Sequence, residues 1–181
     1  MKSPLHSAVS LERTEIEPGL VVYQCPKSQG IWIPLQSYLA WLKSGPRVTR
    51  LAGESAKTEL VDDSKRPPLF CPESGAMLAR YRVGHELSFQ VDRSPITGGV
   101  WLDRGEWEAL KAKGLHDDLH LIFTAPYQRE IRSASLQERM AASFKDRVGE
   151  ADFEKTKAFK SWMAAHAEGR AIRAFLLEAE L

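Results

Sequence analysis

The sequence predicts an α+β fold: two tandem units, each a β-hairpin followed by a short strand and a helix, and then a helical C-terminal region. Three observations lead to this prediction. Residues 25–33 align with residues 94–102 without a gap, which indicates an internal repeat. Two β-prone runs separated by a turn precede each copy of this segment. From Leu115 onward, apolar residues recur at helical spacing, so we expect the chain to end in helices.

The first unit is predicted to comprise residues 1–44. A Pro-Gly turn separates two β-prone runs, residues 10–16 and 20–23, as in a hairpin. Residues 31–33 form a further short apolar strand. Pro34 suits the first turn of a helix. The apolar residues that follow it lie on one helical face: Leu35, Tyr38, Leu39 and Leu42.

Residues 45–69 are predicted to link the two units. They are rich in Gly, Pro, Ser and mixed charge, which is typical of linkers. Four basic residues in this stretch could contact phosphate, but acidic residues separate them, and we interpret the stretch as solvated. The basic residues are Arg47, Arg50, Lys65 and Arg66.

The second unit is predicted to comprise residues 70–114. Apolar and polar residues alternate on both sides of a turn near Gly84, as in half-buried strands. Gly98 and Gly99 permit a tight turn with positive φ before a strand at residues 100–102.

A helix is predicted to follow that strand. Asp103 and Glu106 have the spacing of a capping box. We expect the Asp103 side chain to accept first-turn amides, the Glu106 side chain to accept the Asp103 amide, and the helix to end near Gly114. The cap accounts for both acidic residues, so we prefer it to a catalytic role for the pair.

Residues 115–181 are predicted to be helical. A short apolar segment ends at Pro126, and a long helix then runs to a stop at Gly149. Gly169 separates two further amphipathic helices.

Residues 71–74 read CPES, and residues 94–106 read SPITGGVWLDRGE. These motifs resemble those of the TFIIB-type zinc-finger family of bacterial zinc ribbons, whose members read CPxC and then CPxCGGxWLDxGE. The resemblance implies that each unit is zinc-ribbon-like, with two ligand-bearing turns that we call knuckles, and that the chain is a bacterial, transcription-related protein. It also implies a set of scaffold residues that keep the turn, the packing and the helix start: Trp32, Gly98, Gly99, Trp101, Asp103 and Glu106.

Most metal-ligand positions that the resemblance implies do not hold ligand residues. The eight positions are Ser3, His6, Cys25, Ser28, Cys71, Ser74, Ser94 and Thr97. Neutral hydroxyls are poor zinc ligands, so we expect no zinc or other cofactor; a labile ion held by His6 and Cys25 is the alternative. Hydrogen bonds among hydroxyls and knuckle amides are expected to replace the metal. Because zinc contributes much of the folding energy of small zinc domains, we expect the two units to pack on each other or on the helical region.

Composition gives few indications of partner or compartment. The 25 basic and 24 acidic residues give a net charge of +1, which argues against a strongly basic nucleic-acid-binding domain. We interpret the two cysteines as buried thiols, with a reactive thiol or a Cys25–Cys71 disulfide as alternatives. The sequence has no signal-peptide pattern and no apolar run of membrane-spanning length, so we expect a cytoplasmic protein without membrane contact.

No catalytic constellation is evident. His116 and His120 share helical spacing but lack a third ligand, and we interpret them as a surface pair. We therefore expect no enzyme activity.

The leading prediction is a non-enzymatic protein-binding adaptor or regulatory module, because the fold motif is kept without the metal ligands. The alternative is a nucleic-acid-binding transcription factor of the zinc-ribbon type, in which Arg80, Arg82 and Arg93 contact nucleic acid.

Overall fold

The computed structural model describes residues 1–44, 66–84 and 87–178 of the 181-residue chain. The predicted α+β class is confirmed, because a six-stranded antiparallel sheet is combined with helices. Most of the predicted linker, residues 45–65, lies outside the described residues. The chain forms two compact units, Met1–Ile131 and Arg132–Leu181.

The sheet consists of two hairpins, each followed along the chain by a three-residue strand. The strands are β1 (Glu12–Glu17), β2 (Leu20–Gln24), β3 (Ile31–Ile33), β4 (Ala79–Gly84), β5 (Leu87–Arg93) and β6 (Val100–Leu102). They lie in the order β1-β2-β3-β6-β5-β4. In the turn between β1 and β2, Gly19 has φ +84°, which glycine adopts without strain. The hairpins therefore form where alternation and turn residues predicted them.

Strands β3 and β6 join the two hairpins at the centre of the sheet, a pairing that we call the seam. They pair antiparallel, with Ile31 opposite Leu102, Trp32 opposite Trp101 and Ile33 opposite Val100. Because residue 32 corresponds to residue 101 in the internal repeat, the pairing is symmetric about the two tryptophans. Residues 1–44 and 70–114 thus contribute to one sheet, as expected for units that pack on each other.

Helices pack on one face of the sheet in the first unit. The helices that supply buried side chains to this face are α1 (Leu35–Ser44), α2 (Glu106–Ala112) and α3 (Leu119–Ile122). Further along the chain follow α4 (Ala125–Val148), α5 (Glu150–Ala165) and α6 (Gly169–Glu178). Alternate strand residues such as Val22 and Val91 form the helix-side core with Tyr38 of α1, Leu110 of α2 and Ile122 of α3.

The opposite face of the sheet carries a smaller core, the knuckle-side core. Its buried members are Leu11, Cys25, Trp32, Leu69, Cys71, Leu78 and Trp101. Both faces of the seam are therefore covered, which explains why β3 and β6 are apolar throughout.

The second compact unit comprises the later part of α4, together with α5 and α6. The predicted stop at Gly149 is confirmed, since this residue has φ +82° and separates α4 from α5. Pro126 lies in the first turn of α4, where its missing N–H removes no helical hydrogen bond. None of the described helices is long and apolar enough to cross a membrane.

Candidate functional site

Two buried tryptophans at the seam each pack over a glycine of the other half of the sheet. A Cβ on Gly99 would lie 2.3 Å from Cζ2 of Trp32, and a Cβ on Gly30 would lie 2.4 Å from Cζ2 of Trp101. These distances are shorter than packed carbon atoms allow, so both positions require glycine. Gly98 requires glycine for a different reason, its φ of +73°. The predicted turn therefore explains Gly98, whereas indole packing explains Gly99.

The predicted cap by Asp103 is wrong, because its side chain is engaged elsewhere. Helix α2 begins at Glu106 with no side-chain hydrogen bond at its N-cap residue, Gly105. Asp103 Oδ1 accepts the indole N–H of Trp101 at 2.8 Å, and Asp103 Oδ2 pairs with Arg66. The other half of the capping box is formed, since Glu106 Oε2 accepts the Asp103 N–H at 2.8 Å.

Arg66 belongs to a buried ion cluster that the sequence patterns did not predict. Its guanidinium contacts the carboxylates of Asp92 and Asp103, and Arg80 Nε lies 3.3 Å from Asp92 Oδ1. Burial raises the pKa of the Asp92 carboxyl, and the two arginines offset this only in part. Arg66 therefore belongs to the packed first unit and is not part of a solvated linker.

In the second half of the sheet, three of the four predicted ligand positions, Ser74, Ser94 and Thr97, surround the fourth, Cys71. Its Sγ lies 3.7 Å from Thr97 Oγ1, and the hydroxyls of Ser74 and Ser94 are near enough to lower the pKa of the thiol. Knuckle amides add to the pattern: the Ser74 N–H donates to Cys71 Sγ at 3.4 Å, and the Thr97 N–H donates to Ser94 Oγ at 3.1 Å. Burial raises the pKa of the Cys71 thiol, but these hydrogen bonds outweigh it and lower the pKa.

The first half repeats this arrangement around Cys25. The Ser28 N–H donates to Cys25 Sγ at 3.5 Å, and the hydroxyls of Ser3 and Ser28 are near enough to lower the pKa of the thiol. The His6 N–H donates to Ser3 Oγ at 3.3 Å. Burial raises the pKa of Cys25, and the hydrogen bonds again outweigh it. Both Cys25 and Cys71 are free and buried, so the alternative of a disulfide is wrong.

The donor set of the second half does not fit structural zinc. The second half offers one thiol and three hydroxyls, whereas structural zinc takes four thiolate or imidazole ligands. Within residues 1–44, 66–84 and 87–178, no group of three or more His, Cys, Asp and Glu side chains could hold a metal ion. In the second half, a contact from Cys71 Sγ to Thr97 Oγ1 links the two knuckles directly.

Restoring thiols at the converging positions is expected to create a zinc site. We predict that a variant combining Ser74→Cys, Ser94→Cys and Thr97→Cys binds one zinc ion per chain, because these side chains already surround Cys71. Zinc content and chelator-sensitive thermal unfolding measure the effect. The control exchanges the three serines of α4, Ser133, Ser135 and Ser143, for cysteine. Zinc binding no stronger than that of the control would mean that the knuckle positions do not converge.

The three arginines of the second hairpin do not form one basic face. Arg80 and Arg82 lie two residues apart on β4 and share the knuckle-side face, where Arg80 pairs with Asp92. Arg93 lies opposite Ala79 on the neighbouring strand, so its side chain is on the helix-side face. A nucleic-acid strand could therefore not contact all three from one side.

The interpretation of His116 and His120 as a surface pair is wrong for His116. The ring of His116 packs 6.0 Å from that of Trp41 and 5.8 Å from that of Trp107, and its Nε2 lies 2.9 Å from Asp117 Oδ1. His120 is exposed. The two histidines thus have different surroundings, and His116 is a packing residue of the first unit.

Comparison with known proteins gave no relative: no family model matches the chain, and neither a curated protein nor a solved structure matches it.

Proposed function

We propose that the chain is a non-enzymatic protein-binding adaptor or regulatory module, built on metal-free zinc-ribbon-like units, whose helical second unit docks on a partner protein. One observation carries the proposal: none of the described residues of this unit is buried, although it contains many large apolar side chains. Those with large exposed fractions are Leu136, Met140, Phe144, Phe159, Trp162, Phe175, Leu176 and Leu177.

The exposed apolar side chains of α4 and α5 are grouped on each helix. Leu136, Met140 and Phe144 follow one another at intervals of four residues, so they share one face of α4. The rings of Phe159 and Trp162 on α5 lie 5.4 Å apart. Ordering each residue costs about 1.5 kcal/mol of conformational entropy, which burial of apolar surface must offset. Helices that bury so little of their apolar surface are expected to gain stability when a partner covers it.

The charge of this unit favours a protein partner. Residues 132–181 contain nine basic and eight acidic residues, interspersed along the sequence. This balance gives little attraction to nucleic acid or to an anionic membrane. Aromatic and aliphatic side chains on amphipathic helices are typical of helix-in-groove recognition between proteins.

A second surface, on the first compact unit, also supports protein binding. At the knuckles of the second half, Phe70, Met77 and Ile96 are 56%, 59% and 70% exposed, and Phe70 is bridged to Met77. The repeat-equivalent positions of the first half hold Lys2, Ser10 and Lys27. Since the two halves share their local fold, the apolar residues are not required by the fold, and an interaction surface explains them.

Affinity capture with the full-length chain tests the proposal. We expect a defined protein to be captured by the wild-type chain and lost in a variant with Trp162→Glu and Phe175→Glu, because both side chains are exposed and apolar. The matched control exchanges two exposed charged residues of the same helices, Lys157→Glu and Arg170→Glu. The captured protein is then purified and titrated against each variant.

Recovery of nucleic acid without protein would refute the proposal. Equal loss of the partner in the control would show that charge, and not the apolar surface, carries binding. A cytoplasmic setting is part of the proposal and is supported by the two free thiols.

A further inference from the structure

The joint between α5 and α6 is held by the ring of His166. This residue follows the end of α5, where its N–H donates to the Met163 carbonyl at 3.3 Å, and its own carbonyl accepts the Gly169 N–H at 3.0 Å. The ring turns back on the joint, and its Nδ1 accepts the Glu168 N–H at 3.0 Å. Glu168 directly precedes α6, and its carbonyl accepts the Ile172 N–H at 3.0 Å. The imidazole therefore fixes the residue from which α6 starts.

The hydrogen bond from Glu168 requires a neutral imidazole. A backbone N–H can only donate, so Nδ1 of His166 must carry a lone pair and the ring proton must lie on Nε2. A protonated imidazole has an N–H at both nitrogens and accepts no hydrogen bond. Because histidine is the side chain that ordinarily changes charge between pH 5 and 8, this hydrogen bond is expected to depend on pH within that range.

The position of His166 makes the two helices respond to its charge in opposite senses. A cation is favourable at the C-terminus of α5 and unfavourable at the N-terminus of α6. The ring packs on Trp162, with centroids 5.2 Å apart, and an indole also attracts a cation. The last turn of α5, residues 162–165, holds no charged residue, and the charged groups nearest to the joint along the two helices are Glu168 and Arg170. A protonated ring is therefore expected to favour Trp162, the last carbonyls of α5 and the Glu168 carboxylate over the Glu168 N–H.

Helix α6 depends on this start because little else holds it. It spans ten residues, none of them buried, and isolated helices of this length are marginal in water. Its first residue lies tightly against α5, since a Cβ on Gly169 would lie 2.3 Å from the Met163 carbonyl oxygen. Its exposed Phe175 belongs to the apolar surface of the second unit. Loss of the cap is thus expected to fray or displace the part of that surface that α6 carries.

We propose that His166 is a pH-sensitive cap that regulates partner binding by the second unit: the neutral ring holds α6 in place, and protonation releases it. The inference rests on the proposed function, because α6 carries part of the surface that docks on the partner. A capping hydrogen bond typically changes a helix equilibrium by about fivefold. Since affinity falls with the fraction of chains in the binding-competent state, binding is expected to weaken by up to about fivefold from pH 8 to pH 5.

NMR of the full-length chain tests the cap without a partner. At pH 8, the nitrogen shifts of the His166 ring are expected to show the proton on Nε2 and a hydrogen-bonded lone pair on Nδ1. As the pH falls to 5, the Cα shifts of Arg170 and Ala171 are expected to lose part of their helical offset, in step with protonation of His166. A proton on Nδ1 at pH 8, or Cα shifts that do not follow the His166 titration, would overturn the inference.

Substitutions separate the cap from the charge. His166→Asn keeps an acceptor at every pH, because an asparagine side chain readily accepts the N–H two residues on, and it is expected to keep the helical shifts of α6 constant from pH 8 to pH 5. His166→Lys carries a charge and no acceptor, so it is expected to show at pH 8 what the wild type shows at pH 5. His120→Asn, at an exposed histidine of the first unit, is the control and should leave the response unchanged. The same loss of helical shift in His166→Asn as in the wild type would refute the cap.

The two proposals can fail separately. The captured partner protein is titrated with the wild type and with His166→Asn at pH 8 and pH 5, and only the wild type is expected to bind more weakly at pH 5. Equal wild-type affinity at both pH values, or equal weakening in both proteins, would refute regulation by His166 and leave the proposed function standing. If the NMR titration behaves as expected but no partner protein is captured, the proposed function falls, and His166 remains a pH-sensitive cap of α6.

Discussion

Replacing Arg66 by methionine is expected to lower the free energy of unfolding by about 3–5 kcal/mol, the usual cost of breaking a buried ion cluster. The substitution leaves Asp92 and Asp103, whose side chains are 2% and 4% exposed, without the guanidinium that contacts both. Methionine keeps much of the length of the side chain, so the loss reports the missing charge. Urea unfolding at neutral pH, followed by tryptophan fluorescence, measures it.

Arg80→Met is the matched control. Its side chain is 23% exposed and Arg80 Nε lies 3.3 Å from Asp92 Oδ1, so we expect a loss of about 1 kcal/mol. The pH dependence gives a second check. Without Arg66, the folded-state pKa of Asp92 rises further above its unfolded value, so the deficit is complete at neutral pH and shrinks as the pH falls through that pKa. An Arg66→Met deficit no larger than the control's, or one that does not shrink on acidification, would contradict the predicted cluster.

Replacing Gly99 by alanine is expected to destabilise the fold by about 3 kcal/mol, at the upper end of the usual cost of overpacking. The new Cβ would lie 2.3 Å from Cζ2 and 2.9 Å from Cη2 of Trp32, an indole with no solvent exposure and no room to move. Gly30→Ala is expected to behave alike, because its Cβ would meet Trp101 at 2.4 Å. Chemical unfolding of the single variants measures both losses.

Gly75→Ala is the control, because no atom lies within 4 Å of a Cβ at that position and only its φ of +70° opposes a side chain. That strain costs about 1 kcal/mol. Combining Gly99→Ala with Trp32→Phe removes the indole atoms that the methyl group meets. The double variant should therefore be more stable than the sum of the single losses predicts, by about 1–2 kcal/mol. Strict additivity would refute the contact.

The local elements of the sheet could be predicted because each has a local signal. A Pro-Gly turn between β-prone runs predicted β1 and β2, and alternation around Gly84 predicted β4 and β5. Helix α2 ends at Ala112, with Gly114 at φ +65°, close to the predicted end. Such patterns report which side chains are buried and where the backbone turns, and both depend on neighbours in sequence.

The seam could not be assigned from sequence, although contact between the units was expected. Strands β3 and β6 are three residues long and apolar throughout, so neither alternation nor a turn specifies a partner or a register. The need for glycine at position 99 could not be predicted for the same reason, because it depends on a contact with another strand. A glycine after another glycine indicates a turn, and only the position of Trp32 on the opposite strand shows why a side chain is excluded.

The ion cluster was missed because both faces of the sheet are covered. Asp92 lies between Val91 and Arg93 on β5, where alternation predicts a solvent-facing polar residue; the knuckle-side core buries it instead. Arg66 lies in a stretch whose composition is typical of a solvated linker. Burial of a charged side chain depends on partners distant in sequence, and composition carries no information about them.

Zinc content of the purified chain is the most direct test of the claim that hydrogen bonds hold the knuckles without metal. The protein is produced in zinc-supplemented medium, purified without chelator, and analysed by inductively coupled plasma mass spectrometry alongside the variant with Ser74→Cys, Ser94→Cys and Thr97→Cys. Because the wild-type chain has one thiol among hydroxyls at the second-half site, we predict far less than one zinc ion per wild-type chain and one per variant chain. One or more zinc ions per wild-type chain would contradict the claim.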